Sequence, residues 1–222
     1  MKKLTKCKLK FNPLLAFSFL MATLFLLVCS KSSPLYPMND WVDVNCFFTV
    51  GKSILHGIVP YAELYEQKGP VLYFMYAIAA LISDQSFFGV FLLEVVTFGL
   101  FLYFSGKIAE IYLGKTSLIY FILAFLAMLI PISKAFAHGG GCEELCLFML
   151  TYSLYSVLLA LHEKRTLTFK EAFINGISPQ RCCISSSPFW ASTLVLQPLC
   201  CFGICWTALS GKSSSSPSAI SC

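Results

Sequence analysis

Charge is what this sequence has least of. Only 12% of its 222 residues are Asp, Glu, Lys or Arg, against 57% hydrophobic, whereas soluble domains carry about 25% charged residues. The shortage excludes an ordinary soluble domain and points to a membrane protein. Acid gives out altogether after Glu171. Histidine occurs three times, and Cys201-x3-Cys205 has none nearby, so a zinc site there is weak. The basic residues form no separate patch, which removes support for a nucleic-acid partner.

What charge there is lies between long apolar runs. Five lysines (Lys2, Lys3, Lys6, Lys8 and Lys10) precede an uncharged run over residues 11–30. That run reaches the ~20 residues a bilayer crossing needs. A cleavable signal peptide would have an apolar region of ~7–15 residues ending in small side chains. Cys29 raises a lipoprotein cleavage site as an alternative, but bulky Val28 precedes it, and further spans follow, so an uncleaved anchor is expected. Those spans are residues 85–106, with Glu94 as their one charge, 116–133 and 145–161. Residues 69–83 are apolar but short, as interfacial or re-entrant segments are. The expected fold is therefore an all-α membrane protein with four transmembrane helices, or five if residues 69–83 also cross.

The positive-inside rule chooses between these. If residues 69–83 do not cross, the N-terminus, residues 107–115 and the stretch after Leu161 are cytoplasmic. Up to Lys170 these hold ten Lys and Arg, against four in the outer loops (Lys31, Lys52, Lys68 and Lys134). If they do cross, the ratio becomes six to eight. The first topology is expected, with the N-terminus cytoplasmic and the loop over residues 31–84 outside. Asp43, Lys68, Glu143 and Glu144 then share one face of the membrane.

Residues 178–222 break the pattern. They hold six of the eleven cysteines, including adjacent Cys182 and Cys183, together with the serine runs 185–187 and 213–216. No period is clear, although residues 189–209 are apolar enough to enter a membrane. A disulfide framework and a zinc site are weaker readings than a change of reading frame near codons 175–180, which would replace a selected sequence with an unselected one.

The outer loop holds the chemistry. Phe47, Phe48, Gly51, Ile54 and Leu55 fall at helical spacing after Asp43, and Gly57 and Pro60 end the pattern. A helix lying on the bilayer surface is expected, with Phe47 and Phe48 dipping inward. Asp43 reads either as its N-cap or as a catalytic base at the water–lipid boundary, where desolvation raises basicity. Lys68 stands in Glu66-Gln67-Lys68-Gly69-Pro70, where Pro70 forces extended geometry on its neighbour. It is either a snorkelling lysine or a phosphate contact, which a mobile point charge suits. Tyr61 and Tyr65 are interfacial anchors or shape a sugar pocket. Further on, three glycines follow His138 and precede Cys142, Glu143 and Glu144. Acids at the start of a helix complement its dipole. A His138/Cys142/Glu143/Cys146 metal site matches no standard spacing. Glu94, inside an apolar run, must face protein and not lipid.

Taken together, Asp43 to Pro70 and the later Gly-Gly-Gly-Cys-Glu-Glu run resemble the N-terminal part of polyprenyl-phosphate-dependent GT-C glycosyltransferases. The nearest kinds are the protein-mannosyltransferase-like and aminoarabinose-transferase-like bacterial membrane enzymes, of the glycosyltransferase family 39 type. The resemblance covers roughly residues 10–175, within an N-terminal region over 1–177, and not the tail. It implies transfer of a sugar from a polyprenyl-phosphate donor to an outer-face acceptor, in a bacterial plasma membrane and without a cofactor. Asp43, with Phe47 four residues on and Gly57-Ile-Val-Pro-Tyr61 after it, matches the catalytic acid of the first outer loop. Lys68 matches the lipid-phosphate contact. Glu143 or Glu144 matches the second acid, and with Tyr61 would position acceptor or sugar. Such enzymes have eleven or more spans, so the expectation for a chain with four or five is a truncated or frameshifted, inactive piece. Two other classes stay open. In a small structural or interaction membrane protein, Asp43 is only a cap and Lys68 only an anchor. A transporter half would place its polar residues near the midplane, whereas here they gather at one surface.

Overall fold

The computed structural model describes residues 12–64, 68–133, 136, 138–168, 170, 171 and 175. The Cys- and Ser-rich stretch over 178–222 lies outside them, as do Tyr65, Glu66, Gln67 and Lys134. Within the described residues the chain is all-helical: α1 (Pro13–Cys29), α2 (Val42–Leu55), α3 (Pro70–Ile82), α4 (Phe88–Leu113), α5 (Leu118–Ile132) and α6 (Cys142–His162). No strand forms among them; Pro60 and Leu64 make one isolated bridge.

Length separates these helices. α4 has 26 residues and α6 has 21, and both are apolar enough to cross a membrane. At ~1.5 Å per residue they run about 39 and 31 Å, against a hydrocarbon core of ~30 Å. α1, α5 and α3, with 17, 15 and 13 residues, reach only about 26, 22 and 20 Å on the same rise. α4 also extends beyond the expected span. Lys107 and Glu110 pair at 2.7 Å one turn apart, so their charges satisfy each other on the helix surface. The helix ends instead at Gly114, at φ 66°, and the expected loop over 107–115 contracts to 114–117.

α4 is the axis of the structure, packing against α1, α3, α5 and α6. Two cores flank it. Leu14, Leu26, Phe98, Leu102 and Leu123 fill the one between α1, α4 and α5. Val44, Phe47, Tyr73, Tyr76, Val90 and Leu145 fill the other, among α2, α3 and the first turns of α4 and α6. The apolar stripe of α2 is spent there and not on lipid. Phe47 meets Tyr76 edge-on with centroids 5.7 Å apart, and Phe48 meets Phe87 at 5.0 Å. Each buried ring is worth about 1.5–3 kcal/mol. Gly51 makes the approach possible, since a Cβ there would stand 2.7 Å from the Tyr76 carbonyl carbon. Leu55, at the end of the expected stripe, is 41% exposed. Asp43 is not the N-cap of α2. Trp41 holds that position, without a side-chain cap bond, and Asp43 lies in the first turn.

Candidate functional site

The start of α2, the start of α3 and the turn into α6 meet at one end of α4. Between them is a cavity of about 180 Å³, lined by Asp43, Lys68 and Glu143 with Trp41, Phe47, His138, Gly139, Gly141 and Cys142. Asp43, Lys68 and Glu143 come from segments 25 and 75 residues apart in sequence, and each is fixed by local structure. Asp43 is held by the first turn of α2. The Asn39 side chain orients that turn: its Oδ1 accepts from Trp41 N–H at 3.0 Å, and its Nδ2 donates to the His138 carbonyl at 2.7 Å. One buried asparagine thus ties α2 to the glycine turn 99 residues away.

Lys68 immediately precedes Gly69, the N-cap of α3, with Pro70 as the first helical residue. Proline at that position is pre-set for helix and lacks only an N–H that would be orphaned anyway. Two tyrosines clamp the Lys68 backbone. Its N–H donates to the Tyr73 hydroxyl at 3.0 Å, and its carbonyl accepts from the Tyr61 hydroxyl at 2.5 Å. Tyr61 itself has φ 68°, a conformation uncommon outside glycine. It does not line the cavity; it supports Lys68 from behind, a role the sequence reading did not assign.

The glycine turn supplies the third wall. Gly139 and Gly140 both have positive φ, 72° and 74°. A Cβ on Gly139 would collide with Ser30 Oγ, and one on Gly140 would stand 2.7 Å from the Tyr76 hydroxyl. That hydroxyl donates to the Gly140 carbonyl at 2.5 Å. Glu143 then projects from the first turn of α6 into the cavity. Glu144 does not line it. It is 2% exposed and turned inward, so the two adjacent acids have separate surroundings.

Sequence reasoning missed Trp41 and gave His138 only a weak metal-ligand reading. Their rings stack with centroids 4.1 Å apart and planes 14° from parallel. An aromatic two residues before Asp43 and a histidine just before the glycines were the available signals. Among the described residues no group of three or more His, Cys, Asp or Glu gathers as metal ligands would. Asp43 is exposed. Nearby, Lys31 and Asp40 pair at 2.6 Å; the lysine's hydrogen bond and charge hold the Asp40 carboxyl below its ordinary range.

Chemically, the cavity presents two carboxylates, one ammonium and an imidazole around a space smaller than the ~300–1,000 Å³ typical of drug-sized ligand pockets. That suits one small polar group carrying an anion and hydroxyls. Neither protein-family models, curated proteins nor solved structures yield a match to this chain.

Proposed function

We propose that this chain carries the outer-face pocket of a GT-C-type membrane glycosyltransferase that takes a sugar from a polyprenyl-phosphate donor. One observation carries the reading: Asp43, Lys68 and Glu143, singled out separately in sequence, line a single cavity. In this reading α1, α4, α5 and α6 cross the membrane, α2 and α3 lie at its outer face, and the N-terminus is cytoplasmic. The charge asymmetry of ten to four supports that orientation.

The chemistry follows from the residue types. The Asp43 carboxylate takes or orients the proton of the acceptor hydroxyl. That oxygen forms the new bond to the sugar's anomeric carbon as the carbon–oxygen bond to the lipid phosphate breaks. The phosphate leaves with the electron pair, and the Lys68 ammonium stabilises its charge. Glu143 accepts hydrogen bonds from sugar or acceptor hydroxyls. The second wall of the cavity, Trp41 stacked on His138, offers an apolar face to the ring.

Binding tests this on the chain as it exists. A short-chain polyprenyl-phosphate sugar should bind the detergent-purified protein. Lys68→Ala should weaken it at least ~10-fold, the equivalent of about 1.4 kcal/mol. Asp43→Asn should keep binding within ~3-fold, because a base acts on the acceptor and not on the donor phosphate. Equal binding by wild type and Lys68→Ala would refute the assignment.

A further inference from the structure

Two stacked rings line the cavity, and one buried side chain places both. Asn39 is 0% exposed. Its Oδ1 accepts from the Trp41 amide at 3.0 Å, and its Nδ2 donates to the His138 carbonyl at 2.7 Å. Nδ2 also donates to the Ser32 hydroxyl at 3.0 Å. The Gly139 amide donates to the Phe136 carbonyl at 3.2 Å, which closes the turn around His138. The backbones of Trp41 and His138 are thus fixed on a single amide, and their rings meet at 4.1 Å, 14° from parallel. A pair held in this way keeps its edges in place before a ligand arrives, so binding has less to order.

The two nitrogens of the His138 ring have different surroundings. Among the described residues neither closes a hydrogen bond, and Nδ1 is enclosed by the protein. Nε2 is not enclosed, and it belongs to a ring that lines the cavity. A neutral imidazole carries its proton on one nitrogen and presents the lone pair of the other. A proton on Nδ1 would be a buried N–H with no acceptor, the costlier way to leave that atom unpaired. Nδ1 therefore keeps the lone pair, and Nε2 carries the proton at the open edge of the ring.

A phosphate has use for that edge. Its ionised oxygens accept hydrogen bonds and donate none, whereas sugar and acceptor hydroxyls can donate to the Asp43 and Glu143 carboxylates. Two carboxylates and one ammonium line the cavity, so an anion entering it needs a donor beyond Lys68 to offset the excess negative charge. We propose that His138, as its Nε2–H tautomer, is a second donor to the phosphate of the lipid-linked sugar, acting together with the Lys68 ammonium. As the bond from sugar to phosphate breaks, negative charge gathers on the phosphate oxygens and the hydrogen bond from Nε2 strengthens. His138 keeps its proton throughout. The face of the stack stays with the sugar ring and its edge with the phosphate. This role rests on the glycosyltransferase reading; the tautomer does not.

Two replacements of His138 separate a donor from a ring. His138→Phe keeps an aromatic ring to stack on Trp41 and removes the N–H. His138→Gln brings an amide N–H close to where Nε2 stood and removes the ring. Binding of a short-chain polyprenyl phosphate, with and without its sugar, is measured on the detergent-purified chain at about pH 8, where histidine is ordinarily neutral. His138→Phe should weaken both ligands at least ~10-fold, and His138→Gln should stay within ~3-fold of wild type. Wild-type binding by His138→Phe would leave the ring only its stacking and overturn the donor role. A glutamine variant as weak as the phenylalanine one would overturn it too, and so would a loss seen only when the sugar is attached, since the N–H would then serve a hydroxyl. Nitrogen-15 spectra, with the His138 signals assigned by their disappearance in His138→Phe, should place the proton on Nε2; a proton on Nδ1 refutes the tautomer. If wild type binds neither lipid, the glycosyltransferase reading fails and the donor role with it, while the spectra still decide the tautomer.

Discussion

The two ends of the α4 bundle handle polar groups in opposite ways. At the cavity end, hydrogen bonds join residues far apart in sequence: Ser30 to Glu94, Tyr76 to Gly140 and Asn39 to His138, separated by 64, 64 and 99 positions. At the other end the ion pairs are local, although Asn12 Nδ2 also donates to the Tyr103 hydroxyl, 91 positions away, at 3.4 Å. Lys107 meets Glu110 three residues on, and Arg165 meets Glu163 and Glu171 at separations of two and six. A second cavity opens there, about 490 Å³ in volume, between Asn12, Lys107, Glu110, Lys115 and the start of α5. It is larger than the first, yet its charges include an ion pair that needs nothing further. Buried acids with unpartnered oxygens occur only at the first end among the described residues. A polar group left unsatisfied in the interior is costly and marks where a function, and not stability alone, accounts for the sequence. Size ranks the cavities one way and unsatisfied chemistry the other, and the chemistry is the better guide.

Glycine gives the largest expected test of that contrast. Gly139 and Gly114 stand at opposite ends with nearly equal φ, 72° and 66°. Alanine at Gly114 meets nothing within 4 Å, so it should cost only the backbone strain, about 1–3 kcal/mol. Alanine at Gly139 adds collision with Ser30 and Glu94. Its melting temperature in detergent should fall well below that of Gly114→Ala, with loss of ligand binding as well. Equal losses would mean that the cavity end is no more tightly assembled than the other.

A smaller effect separates the two cavities functionally. Lys68 and Lys115 each line one of them. Lys115→Ala should leave binding of the lipid-phosphate sugar within ~2-fold, less than the 1.4 kcal/mol that a tenfold change represents. A loss matching that of Lys68→Ala would move the site to the larger cavity.

How much of this was legible in sequence depends on the kind of signal. The end of α2 was, because helical spacing, Gly57 and Pro60 are local; its start was not, since Trp41 and not Asp43 is the N-cap. Asp43, Lys68 and Glu143, which line one cavity, stood out as candidates because charge is scarce in an apolar chain. The buried face of α2 was not legible. Phe47 and Phe48 read as lipid-facing because periodicity reports an apolar stripe and not what covers it; α3 covers it here. The end of α4 was misjudged because Lys107 and Glu110 look like a loop until their pairing is seen. Tyr61 could not be placed from sequence, since its contact to the Lys68 carbonyl depends on a turn with φ 68° at a non-glycine residue. Nor could the different surroundings of Glu143 and Glu144, which follow from the 100° step between neighbours on a helix and from where α4 lies.

The smallest expected effect is at the local end. Arg165 donates to both Glu171 oxygens at 2.9 and 3.0 Å, and this holds the Glu171 carboxyl down at about 2, against an ordinary 4.5. A carboxyl whose folded value is depressed contributes stability that is fully present above the ordinary value and is lost as pH falls toward the folded one. The window is therefore from about pH 4.5 down to about 2. The pair is half-exposed, so solvent and salt screen much of it. Glu171→Gln should lower the melting temperature slightly at pH 7. That gap should narrow as the pH falls through 4, and it should shrink at high salt. At the cavity end the hydrogen bonds in question are buried, so the deficit of Ser30→Ala should change little with salt. If the Glu171 deficit were as insensitive to salt as the Ser30 one, the division between a screened, self-paired end and a buried, cross-linked end would not hold.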